Sequence, residues 1–463
     1  MNLTIQEIAS ACNGKIINVS QCNIVSVSTD TRQIEPGALF VPIVGENFDG
    51  HDYIKNAIDK GAVCALTEKD ISADFPLIRV ESTRCALMQL AGYYRQKHDV
   101  KVVAVTGSAG KTTTKDMIYH ILARKYKTKK TIGNFNNDIG MPLSIFQLTP
   151  EDEVLVLEMG MNHAAEIHEL SLIGKPDIAV ITHIGDAHIE NFENREGILH
   201  AKLEIVDGLK PDGVVILNGN DPLLISDIAR KKTNKFKVRY PSDNEIITMD
   251  TSSLVESHAE FNWNGNIINI KIPLPGAHMV MNAFLSVAVG MELGVSPDEI
   301  AKGFDDFVPP QGRLTIENIG GITVINDSYN ANPTATIESI KIICKQPGRK
   351  VAILGDMFEL GHAAKDRHFD VGAFVARSGI ELLIAVGELA KYYCDGFNAE
   401  GYTSEQKVLY FPTLDDFINA YQDSVFTICD GDIVLLKASR GMAFEGIYGY
   451  ILEKFGGKKW TTQ

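Results

Sequence analysis

Residues 101–116, KVVAVTGSAGKTTTKD, constrain the fold of this chain more than any other stretch. An apolar β-forming run, VVAV, stops at a turn of Gly, Ser and Ala, and the turn ends in Lys111-Thr112 at the head of a helical pattern. Small residues let backbone N–H groups curl around phosphate oxygens, and the helix that follows adds its positive N-terminal end. On this reading Thr106, Gly107, Ser108, Ala109, Gly110, Lys111, Thr112 and Thr113 hold a nucleotide triphosphate. Lys111 reaches the β- and γ-phosphates and the Thr112 hydroxyl ligates Mg²⁺. The common pattern, G-x-x-x-x-G-K-[ST], asks for a glycine five residues before Gly110, and that position is Val105.

From about residue 98 the chain repeats the order strand, loop, helix: KVVAVTG, EVLVLEMG, DIAVITHIG and GVVILNG are apolar strands separated by helical segments. That order predicts a parallel sheet with helices on both faces. Polar β-type segments then lead to INIKIPLPG, and the apolar run MVMNAFLSVAVGMELGV at 279–295 reads as a buried helix, too short and too interrupted to span a bilayer. Short alternating runs before residue 98 (IVSVSTD, ALFVPIVG, PLIRV) predict a smaller α/β unit, with TRCALMQLAGYYRQKH as a helix leading out of it. DDFVPPQGR, at 305–313, is a linker and hinge candidate. A third α/β unit follows, with strands in ITVINDSYNANP, RKVAILGDM, ELLIAVG and DIVLLKASRG. The expected organisation is therefore α/β in three domains: a small N-terminal unit at 1–97, a central parallel-sheet phosphate-loop domain at 98–308 and a Rossmann-like domain at 309–463. The length of 463 residues fits about three domains.

Lys and Arg number 44 against 59 Asp and Glu, a net charge of −15. That balance argues against a nucleic-acid partner, while a few local groups can still bind a small anion. The seven cysteines are scattered, with no C-x-x-C pair, as expected of reduced thiols in the cytoplasm. The N-terminus, MNLTIQEIAS, has neither the basic nor the apolar region of a signal peptide.

In open α/β sheets, ligands sit at the C-terminal ends of strands, and most of the polar clusters here lie there. Glu158 ends VLVLE, where a carboxylate can face the phosphate loop and hold a metal ion. His183 and His188 lie in THIGDAHIE at another strand end; from residue types alone they read as hydrogen-bonded loop histidines. Lys202, in EGILHAKLEIVDGL, reads from spacing alone as an exposed helix lysine pairing with Glu. In NDSYNANP, Asn332-Pro333 is an N-cap and first-turn pair, and Asp327, Ser328, Tyr329 and Asn330 exceed what a cap requires. LKASRG places Lys437, Ser439 and Arg440 at a strand end, as an anion site or a solvated turn.

Together these segments resemble the Mur ligase family, the ATP-dependent amide-forming enzymes of peptidoglycan synthesis. The family's phosphate loop reads T-G-[ST]-x-G-K-T, without the early glycine, and matches Thr106 to Thr112. The resemblance extends over essentially the whole chain. GNFNNDIGMPLSIF, EMGMNHAAEI, DSYNANP and GDMFELG resemble the family's form that adds D-alanyl-D-alanine to UDP-N-acetylmuramoyl-tripeptide, the last cytoplasmic step. The resemblance implies that Lys111, His188 and Lys202 are catalytic. It implies Mg²⁺ ligands at Thr112, Glu158 and His188, and a carbamylated lysine supplying metal ligation at Lys202, with two ions in all. Asn282 would contact adenine, and Arg313 and Asp327 would bind ATP from the third domain. Ser28, Thr29, Asp30 and Arg32, with GENFDGH at 45–51, would hold the UDP end, and Asn136, Asn137, Tyr329, Asn330 and Asn332 the rest of the substrate. Two positions depart from the family pattern: His183 stands where Asn is frequent, and Met279 replaces the first Asn of H-N-x-x-N. A monomer is implied by analogy.

Two alternatives stay open at this point. One is another amide ligase of the same fold adding a single amino acid to a different carboxylate. The other is a phosphate-loop switch or scaffold that binds nucleotide and ligates nothing.

Overall fold

Strands that alternate with helices cannot pair through tight hairpins, so each needs a crossover, and the chain builds its sheets mostly parallel. A computed structural model describes residues 1–18, 22–310, 312–401 and 403–456. Gln311 of the proposed linker, residues 19–21 of the first expected domain, and Tyr402 and residues 457–463 of the third lie outside the described residues.

The central sheet has six parallel strands in the order Lys237–Arg239, Val214–Leu217, Ile178–Ile181, Lys101–Thr106, Val154–Glu158, Thr128–Lys130. Its first strand in the chain, Lys101–Thr106, lies inside the sheet, with later strands added on both sides. This reversal of strand order opens a crevice at the C-terminal ends of the strands, where open α/β sheets bind ligands. Val102 to Val105 are fully covered or nearly so, and Val105 pairs in register with Glu158. The position where the common pattern has glycine is therefore an ordinary interior strand position.

The first unit holds a five-stranded sheet, in the order Lys15–Ile17, Leu77–Arg79, Cys64–Thr67, Ala38–Phe40, Ser26–Ser28; only the first pair is antiparallel. The helix Thr83–Gln96, capped by the Ser82 hydroxyl, leads out of it. It docks on the central unit through the Tyr94 hydroxyl, which donates to Leu148 O at 2.8 Å. The third unit has six strands in the order Thr315–Ile319, Ile322–Asn326, Ile433–Lys437, Lys350–Gly355, Leu382–Val386, Lys407–Phe411; only the first pair is antiparallel.

The run at 279–295 forms part of the helix Ala277–Glu292, buried on every side from Met279 to Gly290. Phe284 stacks on Phe261 with ring centroids 4.4 Å apart. Phe261 belongs to a three-stranded antiparallel sheet (Ile246–Asp250, Ser257–Trp263, Asn266–Ile272) built from the polar β-type segments. A second helix, Pro297–Asp305, follows, started by a Ser296–Glu299 capping box. Among the described residues, no helix is long and apolar enough to cross a membrane.

Candidate active site

The phosphate-loop segment enters its helix, Lys111–Leu122, with no side-chain cap: Gly110 stands at the N-cap with φ +80°. The first N–H groups of that helix are thus left for a ligand. A Cβ on Gly110 would lie 2.7 Å from the Asn282 side-chain oxygen, and Gly107, at φ +152°, lies hard against the Thr182 hydroxyl. The loop is pressed between the helix carrying Asn282 and the strand end carrying Thr182, and only glycine fits at either point. Gly107→Ala is expected to destabilise the fold by about 1–3 kcal/mol, the usual cost of overpacking. A thermal melt checks this, and an unchanged midpoint would mean the loop is looser than described.

Strand ends supply the other groups. Glu158 is buried; its Oε1 accepts from the Thr112 hydroxyl at 3.1 Å and from the Asn136 amide at 2.8 Å. Its Oε2 has no hydrogen-bond partner, although Lys115 Nζ stands 3.8 Å away. Lys115 was not singled out from sequence. It is buried one helical turn beyond Lys111, on the same face, and donates to Thr131 O and Gly133 O. The i, i+4 lysine pair in KTTTK is the signal that could have found it.

Lys202 overturns its reading as an exposed lysine. It lies on the helix Arg195–Leu203 with zero exposure, and its Nζ has no hydrogen-bond partner. Burial lowers its pKa well below the ordinary lysine value, and the charge of Lys111 lowers it further. Residue type misleads here and position does not: Lys202 follows Ile198 by four residues and Leu199 by three, both fully buried, so it stands on the covered face of its helix.

A cleft of about 610 Å³ joins the phosphate loop and Glu158 to the third unit; Lys115 and Lys202 are not among its lining residues. Ser108 to Thr113, Asn136, Glu158, His183, His188 and Asn282 line it from the central unit, and Arg313, Asp327, Tyr329, Asn330, Asn332 and Lys437 from the other side. Arg313 stacks on the Tyr329 ring, 4.1 Å from its centroid. Asp327 is ion-paired with the buried Lys437 and accepts from the Ser339 hydroxyl at 2.6 Å. LKASRG thus divides: Lys437 faces the cleft, Ser439 is buried and accepts from Phe358 N–H at 2.8 Å, and Arg440 is exposed beside Glu445. His183 stands 2.8 Å from Asp221, and His188 2.7 Å from Glu359 of the third unit, a partner that sequence reasoning missed. Asn282 donates weakly to the Met279 sulfur at 3.7 Å.

Some of the expected substrate groups lie elsewhere. Ser28, Thr29, Asp30 and Arg32 are not among the residues lining this cleft; Asp30 receives the Arg32 guanidinium at 2.7 Å. Asn137 accepts from Ile139 N–H and Gly140 N–H at the start of a helix, a capping arrangement. Asn332 both lines the cleft and caps the helix Pro333–Cys344, as its pairing with Pro333 predicts.

Among the described residues, no group of three or more His, Cys, Asp and Glu side chains is gathered as a metal cage. Glu158 Oε2 and Lys202 Nζ are nevertheless among the buried atoms without a hydrogen-bond partner. An ion that keeps several waters and takes its other oxygens from substrate phosphates, as Mg²⁺ does, fits a site of this kind.

Three family models match the chain: "Mur ligase family, catalytic domain" over residues 23–95, "Mur ligase middle domain" over 105–290 and "Mur ligase, glutamate ligase domain" over 312–440. A UDP-N-acetylmuramoyl-tripeptide--D-alanyl-D-alanine ligase from Bacillus subtilis is 37% identical over 458 residues, which is 97% of this chain and 98% of the relative. A MurF crystal structure from Acinetobacter baumannii superposes with a TM-score of 0.90 at 31% identity, covering 98% of this chain and 99% of that one. A MurF ligase from Thermotoga maritima, solved in complex with ADP, gives 0.80 at 28% identity, covering 93% and 97%.

Proposed function

The chain belongs to the Mur ligase family, and from that premise and the geometry of the cleft we infer that it joins D-alanyl-D-alanine to UDP-N-acetylmuramoyl-tripeptide with ATP. It is a ligase forming a carbon–nitrogen bond, and its product, UDP-N-acetylmuramoyl-pentapeptide, is a precursor of the peptidoglycan wall. The observation that carries the reading is the composition of the cleft between the central and third units. A phosphate loop and a metal-type carboxylate on one side meet an Arg–Tyr stack and an Asp–Lys pair on the other. A nucleotide switch needs the first set and has no use for the second.

The chemistry takes two steps. The tripeptide's terminal carboxylate attacks the γ-phosphorus of ATP, ADP leaves, and an acyl phosphate remains. The dipeptide amine, having lost a proton, then attacks the acyl carbon, and phosphate departs through a tetrahedral intermediate. The phosphorylation is needed because a free carboxylate has only oxide to expel. The protein contributes positioning and charge neutralisation. Lys111 and the helix N-terminus receive the β- and γ-phosphates, and Asn282, which packs against Gly110, is assigned to the adenine on the family resemblance. Arg313 and Asp327 close the nucleotide from the third unit, around residues 305–313, and closure keeps water from the acyl phosphate.

Mg²⁺ would be held by Thr112 and Glu158, with His188 serving a second ion; when bound, it offsets the negative charge of the triphosphate. We assign Lys202 as a carbamate: a buried amine with no partner and a depressed pKa is a free nucleophile for carbon dioxide. The first unit, with Ser28 to Arg32, is assigned to the UDP end. We place the reaction in the cytoplasm, consistent with all seven cysteines being free thiols, and take the monomer as the working unit by analogy with the family.

Phosphate release with UDP-N-acetylmuramoyl-tripeptides tests the assignment. D-Alanyl-D-alanine is expected to stimulate release, with the pentapeptide product appearing in equal amount. Stimulation by a single amino acid and none by the dipeptide would transfer the chain to another member of the fold. Comparing diaminopimelate and lysine tripeptides in the same assay identifies the third residue.

A further inference from the structure

His188 and Glu359 meet across the boundary between the central and third units, with Nδ1 2.7 Å from Oε2. Both are non-glycine residues in the left-handed region, at φ +64° and +63°. Residues of this type hold that conformation only where the surroundings over-determine it, and such places cluster at functional sites.

The loop around Glu359 is held in this way. Met357 N–H donates to His368 Nε2 at 2.9 Å, and Phe358 N–H donates to Ser439 Oγ at 2.8 Å. Glu359 O accepts from Glu190 N–H at 3.3 Å, and Gly361 sits so close that a Cβ there would lie 2.7 Å from Glu190 Cβ. Packing does not demand a glutamate, since its side chain is 45% exposed. What the strained turn accomplishes is to aim a carboxylate at the imidazole.

A second contact holds the segment that carries His188. Asp186, with a side chain only 1% exposed, receives Arg195 Nε at 2.6 Å and Nη2 at 2.7 Å from its own unit. Arg367 of the third unit brings its Nε to 3.1 Å of the same carboxylate. The segments 186–190 and 357–367 are thus docked at two points, and Glu359 is delivered by the docking.

An imidazole engaged at Nδ1 by a carboxylate presents Nε2 on its other side, and partners of this kind set ring orientation and ligand basicity. His188 lines the cleft and Glu359 does not. The contact is a close approach of ring nitrogen and carboxylate that lies off hydrogen-bond alignment. We propose that Glu359 is a positioning residue for His188, setting the imidazole in the cleft only when the third unit is docked. The inference rests on the reading of His188 as a metal ligand.

The test uses the full chain, a non-hydrolysable ATP analogue and Mn²⁺ as the probe, with binding read by electron paramagnetic resonance. His188→Ala and Glu359→Ala are each expected to weaken Mn²⁺ binding by about 10–100-fold. Glu359→Gln should recover most of the affinity, because its amide oxygen can still accept from Nδ1–H. Glu359→Gly should bind as weakly as Glu359→Ala while melting at the same temperature or higher, because glycine relieves the φ of +63°. If His188→Ala weakens binding and neither Glu359→Ala nor Glu359→Gly does, positioning is wrong and the ligand reading stands. If His188→Ala binds normally, the ligand reading fails and takes the inference with it. A fall in the melting temperature of Glu359→Gly would make Glu359 a fold element only.

Discussion

Replacing Lys111 by alanine is expected to slow dipeptide-dependent phosphate release by about 10²–10³-fold, the loss typical when one preorganised charge-stabilising group is removed. Lys111 Nζ donates to Gly107 O at 2.8 Å, so the amine lies folded over its own loop at the point where the triphosphate enters. Desolvation lowers its pKa, with Arg313 adding to the fall and Glu158 and Glu359 opposing it. A polyphosphate reverses that balance and favours the charged form. The chemistry needs the charge, because a carboxylate and a phosphate oxygen 4 Å apart repel by about 4 kcal/mol even at an effective dielectric of 20. Lys111→Ala gives up one hydrogen bond of the fold, about 1 kcal/mol, so the melting temperature should move little while kcat collapses. Lys111→Arg keeps the charge but not the compact ammonium and should recover only part of the rate. Undiminished amide formation by Lys111→Ala would sink the ligase mechanism altogether.

The sheets were legible where periodicity and burial agree. KVVAV, VLVLE, IAVI and VVIL are apolar because both faces are covered, and each forms a central parallel strand. Several edge strands were not legible, although Ser26–Ser28, at the edge of the first sheet, lies in the alternating run IVSVSTD. Thr128–Lys130 and Lys237–Arg239 are short and lysine-bearing, and Lys407–Phe411 is only half-buried. An edge strand needs no apolar run and is often protected by charge, so its pattern resembles a loop.

The site divides along similar lines. Local chemistry announced itself: the phosphate loop, the Asn332-Pro333 cap and the polar strand ends all stand where their residue types imply. Groups whose meaning depends on what covers them did not. Lys115 and Lys202 look like ordinary helix lysines in sequence, and both are buried. Glu359 and Asp186 acquire partners 171 and 181 residues away from across the domain boundary, His188 and Arg367 respectively. No short window of sequence contains such pairs. The family resemblance supplied Lys202 its meaning, and the structure adds the physical state that makes that meaning chemically reasonable.

Lys202 carries the second large expected effect, and it has two opposite signs. An amine with zero exposure and no hydrogen-bond partner costs the fold on the order of 1–3 kcal/mol. In buffer stripped of carbon dioxide, Lys202→Met, apolar and similar in length, is therefore expected to melt several degrees above the parent chain. The pH dependence has a fixed sign as well. The folded pKa is lowered, so between it and the ordinary lysine value the unfolded chain binds more protons. Stability of the parent chain then rises with pH through that window, and this rise disappears in Lys202→Met. Bicarbonate should reverse the ranking. The neutral amine attacks carbon dioxide, loses a proton and becomes a carbamate, whose negative charge offsets Lys111 nearby. Binding to the folded state alone raises the melting temperature of the parent chain, and Lys202→Met has nothing to carbamylate. With ¹³C-bicarbonate the parent chain should show a carbamate resonance that Lys202→Met lacks. The variant's ligase activity should fall by about 10²–10³-fold, as for the loss of a preorganised metal-facing charge. A parent chain that neither gains stability nor shows the resonance in bicarbonate would leave Lys202 as a buried neutral amine, and the metal site would have to be completed by substrate oxygens and water.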